Sequence, residues 1–526
     1  PFTPGIGFLE GDIGAIVPYF MAGGQKQSYA WINEIGDIQT FLTVGGVTLM
    51  TDDSYKVLGD EEQVQTVYLA VSGRGPDGIQ QIYNAIREAP PSPKVQGTVA
   101  LPASAEGRDK WVAAMDGDVL ASLAPIDDDG SFELSLEEGG YELQAFVRGL
   151  AASEPSTISV GPEGATPELI VPEPATVDVS VVDRATGEFS PSRITFDKVG
   201  DTPSSYAPDA LRPTDKYDPG NRNASVHSAT GQETVTLPAG TYTVIASRGF
   251  SYEYEERTVT LKPGVNEPLA MEIERVVDTA GWLSADFHIH ALWSPDSYVP
   301  YDVRVLQAIA NDLDLPILTE HVYASGFQDT IEDLGVEDLV HGITGQEVTT
   351  FVYGHFNAFP LVWDPSKPNM GAVFPFDKNA PELFDSIRSK ADGDVVIQVN
   401  HPRGTAAGAY FTYVGLDAEA DTVVVTKDWS TNWEAIEVFN GSCNGGSNLE
   451  EVADWVGLTN NGYRKTLASG SDVHKESALP GTPRNWIRVN RADVIENAQN
   501  LVPAVRDRNM FVSCGPFVRF TATNPD

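Results

Sequence analysis

The stretch LSADFHIH (283–290) decides how this chain reads. It opens as an apolar, strand-like run and ends in His288-x-His290. Alternate residues on a strand share a face, so both imidazoles point to one side. Seven of the chain's eight histidines lie between residues 288 and 474, and six of those stand in short phrases of the same layout. Besides His288 and His290, the phrases are LTEH (318–321), GHFNAF (354–359), VNHPRG (399–404) and SGSDVH (469–474), and GQE (345–347) adds an acid. A residue scarce elsewhere and gathered at the ends of apolar runs points to chemistry, and here to metal ligation.

Two histidines leave a divalent ion under-coordinated and its charge uncompensated, so carboxylates should join them. Glu347 and Asp472 fit that part, with Glu347 as the bridge between ions. His288 and His290 would hold one metal, His355 and His401 a second, and His321, His474 and Asp296 a third. Two or three divalent ions (Zn, Mn or Fe) are therefore expected. A water held between such ions loses a proton near neutral pH and becomes a nucleophile, with Glu347 and Asp472 as catalytic carboxylates. Arg403 and Lys475 stand beside ligand phrases and could hold an anionic or developing oxyanion group, or simply be surface charge at a rim. Asp286, Asn400, Asn440 and Ser469 flank the ligands, either orienting imidazoles or capping strand ends. His341 and His227 match no motif and read as ordinary loop histidines, His341 alternatively opening a strand.

In this order the phrases resemble the polymerase and histidinol phosphatase (PHP) superfamily, over about residues 281–516. The run RVVDTAGWLSADFHIHALWSPDSYVPYDVRV (275–305), followed by TEH, GQE, GHFNAF, NHPRG, EVFNG and SGSDVH, is similar to the carbaryl-hydrolase-like branch. The resemblance implies a distorted (β/α)7 barrel with up to three metals, preceded by β-domains. There are two departures. Thr319-Glu320-His321 stands where Thr-Asp-His is common, and Asp296 lies one residue further beyond His290 than usual.

Working outward, residues from about 281 alternate strand-like and helix-like runs, which implies parallel β/α units. Most candidate ligands fall at the C-terminal ends of strands, the face on which such barrels build sites. Residues 94–275 read as all-β with an internal repeat: SFELSLEEGGYELQAFVRG (131–149) aligns with QETVTLPAGTYTVIASRG (232–249). Each copy holds two alternating strands around a glycine turn, and the pair resembles carboxypeptidase-regulatory-like β-sandwiches. In residues 1–92, 5–20 and 64–73 read as strands and 77–89 as a helix, before the linker APPSPK (89–94). The expected division is 1–92, an N-terminal β-rich module; 93–172 and 173–276, two β-sandwiches; and 277–526, the metal-binding barrel. The final run FVRFTATNPD (517–526) is strand-like without a capping partner, so further C-terminal sequence is expected.

Acids outnumber bases 75 to 34, a formal net charge of −41, which disfavours nucleic acid and anionic membranes as partners. No run of 18 apolar residues is present to span a bilayer. Two cysteines, Cys443 and Cys514, leave a single disulfide and two buried thiols both open. The chain begins at Pro1 and shows no signal peptide, so a processed form with a secreted, periplasmic or cell-surface location is expected. The leading expectation is a secreted metal-dependent hydrolase acting on a small carboxylic or carbamate ester or amide, with a phosphoesterase as its neighbour. A different class is a non-catalytic surface or structural assembly protein, which associates with itself or the cell surface through its β-domains and carries a metal-binding barrel.

Overall fold

The computed structural model describes residues 16–23, 27–34, 36–42, 48–51, 66–208, 222–350, 352–403, 409–418, 422–443 and 448–519. Among them no helix is long and apolar enough to cross a membrane, which says nothing of a β-barrel. In the N-terminal stretch, Ser28–Asn33 pairs antiparallel with Phe20–Gly23 and Val67–Ser72. The helix Gly75–Ile86 brings Ile79 against buried Ala30, Ile32 and Ala70. Asp77 in its first turn is buried and accepts from Ser122 Oγ at 2.8 Å and the Ser135 amide at 2.9 Å, tying the helix to the sandwich that follows. Of the expected strand at 5–20, residues 5–15 lie outside the described residues, and Ile16–Val17 is strand.

Two β-sandwiches follow. In the first, the strands Ser131–Ser135, Lys94–Ala100 and Glu168–Ile170 face Ser156–Val160, Gly139–Val147, Lys110–Asp116 and Val119–Pro125. In the second, Gln232–Leu237, Ala175–Asp183 and Leu269–Arg275 face Arg222–Ser228, Ser192–Val199, Gly240–Ser247 and Glu255–Leu261. Period-two alternation supplies each interior: Val95, Val112, Leu134, Leu143 and Ala145 in one, Val177, Val181, Phe196, Val244 and Ile273 in the other. The two strands around each glycine turn enter opposite sheets instead of pairing with each other. Each strand has one apolar face, and crossing between sheets turns both faces onto the shared core, with Leu136 and Leu237 buried at the crossings. In the second copy the crossing is locked by Tyr242. Its hydroxyl donates to the Pro238 carbonyl at 2.6 Å and accepts from Asn223 Nδ2 at 3.1 Å.

The closed (β/α)7 sheet expected from 277 onward is corrected by the pairing. The strands form two five-stranded sheets, in order Ile343–Thr344, Leu315–Leu318, Leu283–Ile289, Arg484–Ile487, Met510–Ser513 and Gln346–Thr349, His355–Phe359, Val396–Val399, Ala435–Asn440, Thr466–Gly470. Pairing is mixed: Leu283–Ile289 lies parallel to Leu315–Leu318, while Gln346–Thr349 and His355–Phe359 are antiparallel. The division falls at Gly345. Thr344 still pairs with Leu318, and from Gln346 the chain turns to pair with His355–Phe359. A side chain at Gly345 would stand 2.9 Å from the Leu318 carbonyl, so only glycine lets the sheets approach there. Two isolated bridges, Ile289 with Val473 and His321 with Glu347, join the sheet edges. The helices Tyr301–Ala310, Ala380–Lys390 and Asn448–Asn460 fall on the helix-like runs VRVLQAIANDL (303–313), PELFDSIRSK (381–390) and LEEVADWVG (449–457). The long helix expected over 493–508 breaks at Asn497, whose extended backbone and side-chain cap on Gln499 separate Arg491–Glu496 from Leu501–Arg506. The described part of the last run, 517–519, is not strand, and its remainder lies outside the described residues.

Cys443 and Cys514 form a disulfide with Cα atoms 6.0 Å apart, resolving the alternative the sequence left open. It closes a loop of 71 residues in sequence separation. By chain entropy such a closure contributes about 4 kcal/mol. Cys443→Ser should lower unfolding stability by up to that amount in urea titration, and reductant should have no further effect on the variant.

Candidate metal centre

His288 lies on the strand Leu283–Ile289 and His290 just beyond it, both fully buried. The strand end is stitched to the phrase carrying Asp472. The Asp472 amide donates to the His288 carbonyl at 2.8 Å, and the His290 amide to the Val473 carbonyl at 3.2 Å. Asp286 secures the same junction, accepting from the amides of His288 at 3.0 Å, Ser471 at 3.0 Å and Gly481 at 2.6 Å. A Cβ on Gly470 would stand 2.2 Å from the His288 Cβ, so SGSDVH needs glycine for close approach. His401 and Asp472 have left-handed backbones (φ 27° and 49°), as does Val322 beside His321 (φ 56°). Such non-glycine conformations cost on the order of 1–3 kcal/mol each and gather where surroundings over-determine the geometry.

Glu347 is the hub. Its carboxylate lies 3.2 Å from His288 Nε2, 3.7 Å from His290 Nε2, 2.7 Å from His321 Nδ1, 3.3 Å from His355 Nδ1 and 3.5 Å from His401 Nε2. Asp472 Oδ1 stands 3.3 Å from His288 Nε2 and 3.2 Å from His290 Nε2. Asp296 Oδ2 lies 3.3 Å from Nε2 of both His321 and His474. Three groups can each offer donor atoms within 4.8 Å of one another: His288, His290 and Glu347; Glu347, His355 and His401; His290, His321 and His474. The structure thus brings together all nine residues expected as ligands.

The donors fit divalent ions by a second criterion. The Nε2 atoms of His288, His290 and His474, Asp296 Oδ1 and Glu347 Oε2 are buried without a hydrogen-bond partner. Buried polar atoms are rarely left so, and five in one pocket mark a place for cations. Nitrogen and carboxylate donors suit Zn, Mn or Fe.

Charge coupling is strong. At Glu347 burial opposes ionisation, but His321, His355 and His288 hold the carboxyl well below its usual range. At Asp472 the same contest is won by His288, His290 and His474. Burial disfavours the His288 imidazolium, yet Asp472, Glu437 and Glu347 raise its pKa well above the ordinary value. His290, buried beside His474 and His321, is pushed down to about 3 and stays neutral, the form in which imidazole ligates.

Residues beyond the ligands fix their orientation. Glu437 accepts from the His401 amide at 2.8 Å and meets His288 Nδ1 at 2.8 Å. Ser294 Oγ meets His290 Nδ1 at 2.8 Å and in turn donates to Glu320, which also accepts from the amides of Ala291 and Trp293 at 3.0 Å. Asn400 donates to Glu347 at 2.8 Å, and Asn440 to Asp472 at 2.9 Å. Ser469 bonds Asn485 instead of an imidazole, donating its amide at 2.9 Å. Glu437 escaped the reading of site residues, although an acid inside the apolar run AIEVFN (435–440) was its signal. Ser294 carried no signal short of the fold.

Two expected anion holders are corrected. Arg403 makes a two-pronged ion pair with Asp454, both contacts 2.6 Å, and lies over Phe411. Lys475 is exposed, and its carbonyl accepts from Arg304 at 3.1 Å. His341 precedes a strand, whereas His227 lies within the strand Arg222–Ser228 and not in a loop.

No family model matches the chain, and no curated protein matches it. Among solved structures it is similar to the Bacillus anthracis TIE protein (11% identity, 50% of this chain and 44% of that one, TM-score 0.16). It is similar also to the shaft pilin SpaA from Lactobacillus rhamnosus GG (8%, 36% and 100%, TM-score 0.21) and to BcpA, the major pilin subunit of Bacillus cereus (10%, 49% and 86%, TM-score 0.16). Likenesses at these scores carry no argument about how this chain works. The expected membership of the PHP superfamily is nonetheless corrected, since no family model supports it. The expectations of a hydrolase, of an enzyme and of an ester or phosphoester substrate, drawn from the histidine and carboxylate phrases together with that resemblance, are corrected as well.

Glu347→Gln keeps the hub's shape and removes its charge. Elemental analysis should find at least one ion fewer per chain than in the wild type. Glu437→Gln should weaken metal affinity by about 10–100-fold in chelator competition, with stoichiometry retained at saturating metal.

Proposed function

We propose that this chain is a metal-binding structural protein of an extracytoplasmic or cell-surface assembly, in which two or three divalent ions cement a C-terminal unit carried on β-sandwich modules. The observation that carries the reading is Glu347, buried and within 3.7 Å of five imidazoles. His288, His290 and His321 extend from one five-stranded sheet, and Glu347, His355, His401, Asp472 and His474 from the other. Ions bound there would tie the strand ends of the two sheets together beyond the apolar cluster that the sheets share. His290 and Glu347 each belong to two donor groups and would couple neighbouring ions.

The modular division is 1–92, 93–172, 173–276 and 277–526, supported by separate apolar clusters in the two sandwiches and the C-terminal stretch. The Cys443–Cys514 disulfide and the acidic surface favour an oxidising, saline exterior. Assembly would proceed through the β-modules, whose exposed strands offer Val119, Ile170 and Val265 to solvent.

Binding to the folded state alone stabilises it by about 4 kcal/mol per ion when free metal exceeds Kd a thousandfold. Purified full-length chain should contain two or three ions by elemental analysis. A chelator should lower its melting temperature and change its mass distribution in light scattering. Less than one ion per chain, together with melting that ignores the chelator, would overturn the proposal.

A further inference from the structure

The two ends of the Cys443–Cys514 disulfide reach one ligand phrase by separate routes. On the first, Asn440 stands shortly before Cys443 in the chain. Asn440 Nδ2 donates to Asp472 Oδ2 at 2.9 Å and to Glu437 Oε2 at 3.1 Å. Between Asn440 and Cys443 the chain turns tightly against SGSDVH (469–474). The Gly441 amide donates to the Gly470 carbonyl at 3.0 Å, and the Ser442 amide to the Asn440 carbonyl at 2.6 Å. Gly441 has a left-handed backbone (φ 60°), and a Cβ there would stand 3.3 Å from the Ser471 carbonyl.

On the second route, Ser513 beside Cys514 is the cross-strand partner of Arg484. Arg484 donates to the Gly481 carbonyl at 2.8 Å, and the Gly481 amide donates to Asp286 at 2.6 Å. Asp286 in turn accepts from the amides of Ser471 and His288, both at 3.0 Å. The phrase carrying Asp472 is thus gripped from both sides, and the S–S bond, with Cα atoms 6.0 Å apart, closes that grip covalently.

What is gripped is a candidate metal donor. Asn440 occupies Oδ2 of Asp472, and Oδ1 stands 3.3 Å from His288 Nε2 and 3.2 Å from His290 Nε2. The backbone of Asp472 lies at φ 49°, a conformation that persists only where the surroundings impose it. Opening the disulfide would return freedom to the turn that carries Asn440, and metal binding would have to order that turn again.

We propose that the disulfide is a redox latch on the metal centre. The ion held by His288, His290, Glu347 and Asp472 binds more tightly when Cys443 and Cys514 are joined than when they are thiols. This inference rests on the metal reading above. The latch closes by exchange with a small disulfide oxidant. Cys443 and Cys514 give up two electrons and two protons and form one S–S bond, while the oxidant's S–S bond breaks into two thiols that take them up. Linkage makes the coupling reciprocal, so a bound ion favours the closed latch.

The test measures zinc affinity of the full-length chain by competition with a chromophoric chelator. Three forms are compared: the oxidised wild type, the wild type reduced with a water-soluble phosphine, and Cys443→Ser/Cys514→Ser, which excludes zinc binding by the freed thiols. In the reduction the phosphine becomes its oxide with oxygen from water, and each sulfur gains a proton. Both opened forms should bind one ion about tenfold more weakly, within the usual range of coupling between sites. Asn440→Ala with the disulfide intact should weaken the same ion by about tenfold. Adding the cysteine substitutions to Asn440→Ala should then cost little more, as for residues that act together. Circular dichroism follows the fold of each form. Zinc affinity equal in the oxidised and opened chains, or losses that simply add in the combined variant, would sink the latch and leave the metal reading standing. Opened forms that unfold would sink it too, because the bond would then serve the whole unit. Less than one zinc on the oxidised wild type would remove both readings.

Discussion

A carboxylate sunk among imidazoles cannot be neutral ground. Glu347 is 1% exposed, and its firm contacts are few for a buried charge: Asn400 donates to one oxygen at 2.8 Å, and Oε2 has the His321 imidazole at 2.7 Å. Taking an ion of this size out of water costs several kcal/mol even after relaxation. Proton sharing with the surrounding histidines meets part of that cost, at the price of imidazolium charges crowded against one another. His290 lies 4.0 Å ring to ring from His474 and 4.5 Å from His321, and it cannot take up charge beside them. Divalent ions would resolve both problems together, giving Glu347 and Asp472 a counter-charge and the imidazoles a use for their lone pairs. The left-handed backbones at His401 and Asp472 and the glycine at 470 follow from the same demand, because each brings a donor nearer the hub than an ordinary strand end would.

That demand reaches the rest of the molecule through two buried arginines. Arg304, on the helix Tyr301–Ala310, donates to the carbonyls of His290, Val473, Lys475 and Ala478, so a single guanidinium holds both ligand loops in place. Burial pushes its pKa down to about 10, still far above neutrality, and the charge is kept. Arg484 does the corresponding work at the opposite end of the strand, donating to the carbonyls of Gly481, Asp312 and Asn311 while lying 4.7 Å over Phe250. Phe250 belongs to the second sandwich, and Asp312 also pairs with Arg248 and Arg275 from that module. The sandwich is thus fastened to the C-terminal unit by carbonyls and carboxylates converging on arginines, an arrangement with more direction than apolar contact alone.

The convergence of the candidate donors was legible because metal chemistry restricts residue type and strand-end placement together. All nine expected residues converge, although the sequence could not say which donor serves which ion. His290 proves central to two donor groups, where the reading had paired it with His288 alone. Alternation in 131–149 and 232–249 marked the sandwich strands, while the crossing between sheets depends on partners such as Lys94–Ala100 that lie far off in sequence. The closed barrel was misread for a similar reason. HGITGQEV (341–348) looks like one strand, and only the close approach of Leu318 to Gly345 shows why it must divide. Arg403 and Lys475 were placed near the centre by adjacency in sequence, but adjacent residues at a strand end point apart, and Asp454 on the following helix captured Arg403. Family resemblance, finally, was a statement about motifs, and motifs that specify a metal site do not by themselves specify what the site is for.

The divided sheet and the metal hub are best understood as one arrangement. Two sheets that met along a continuous ladder would hold together by backbone hydrogen bonds and could bury ordinary apolar side chains between them. Here the bridges Ile289–Val473 and His321–Glu347 join the sheets beside the candidate donors, and Leu283, Ala285 and Phe287 of one sheet pack with Phe359, Val396 and Ala435 of the other. Cohesion between the sheets is therefore apolar over their inner faces, and imidazoles and carboxylates, groups that resist burial without a cation, are confined to the strand ends above that cluster. The disulfide joins the segment after Ala435–Asn440 in one sheet to the end of Met510–Ser513 in the other, three residues from Asn440, which donates to Asp472. Oxidation of the thiols and binding of divalent ions would thus act on the same end of the unit, each adding to an apolar contact that the sheets already share.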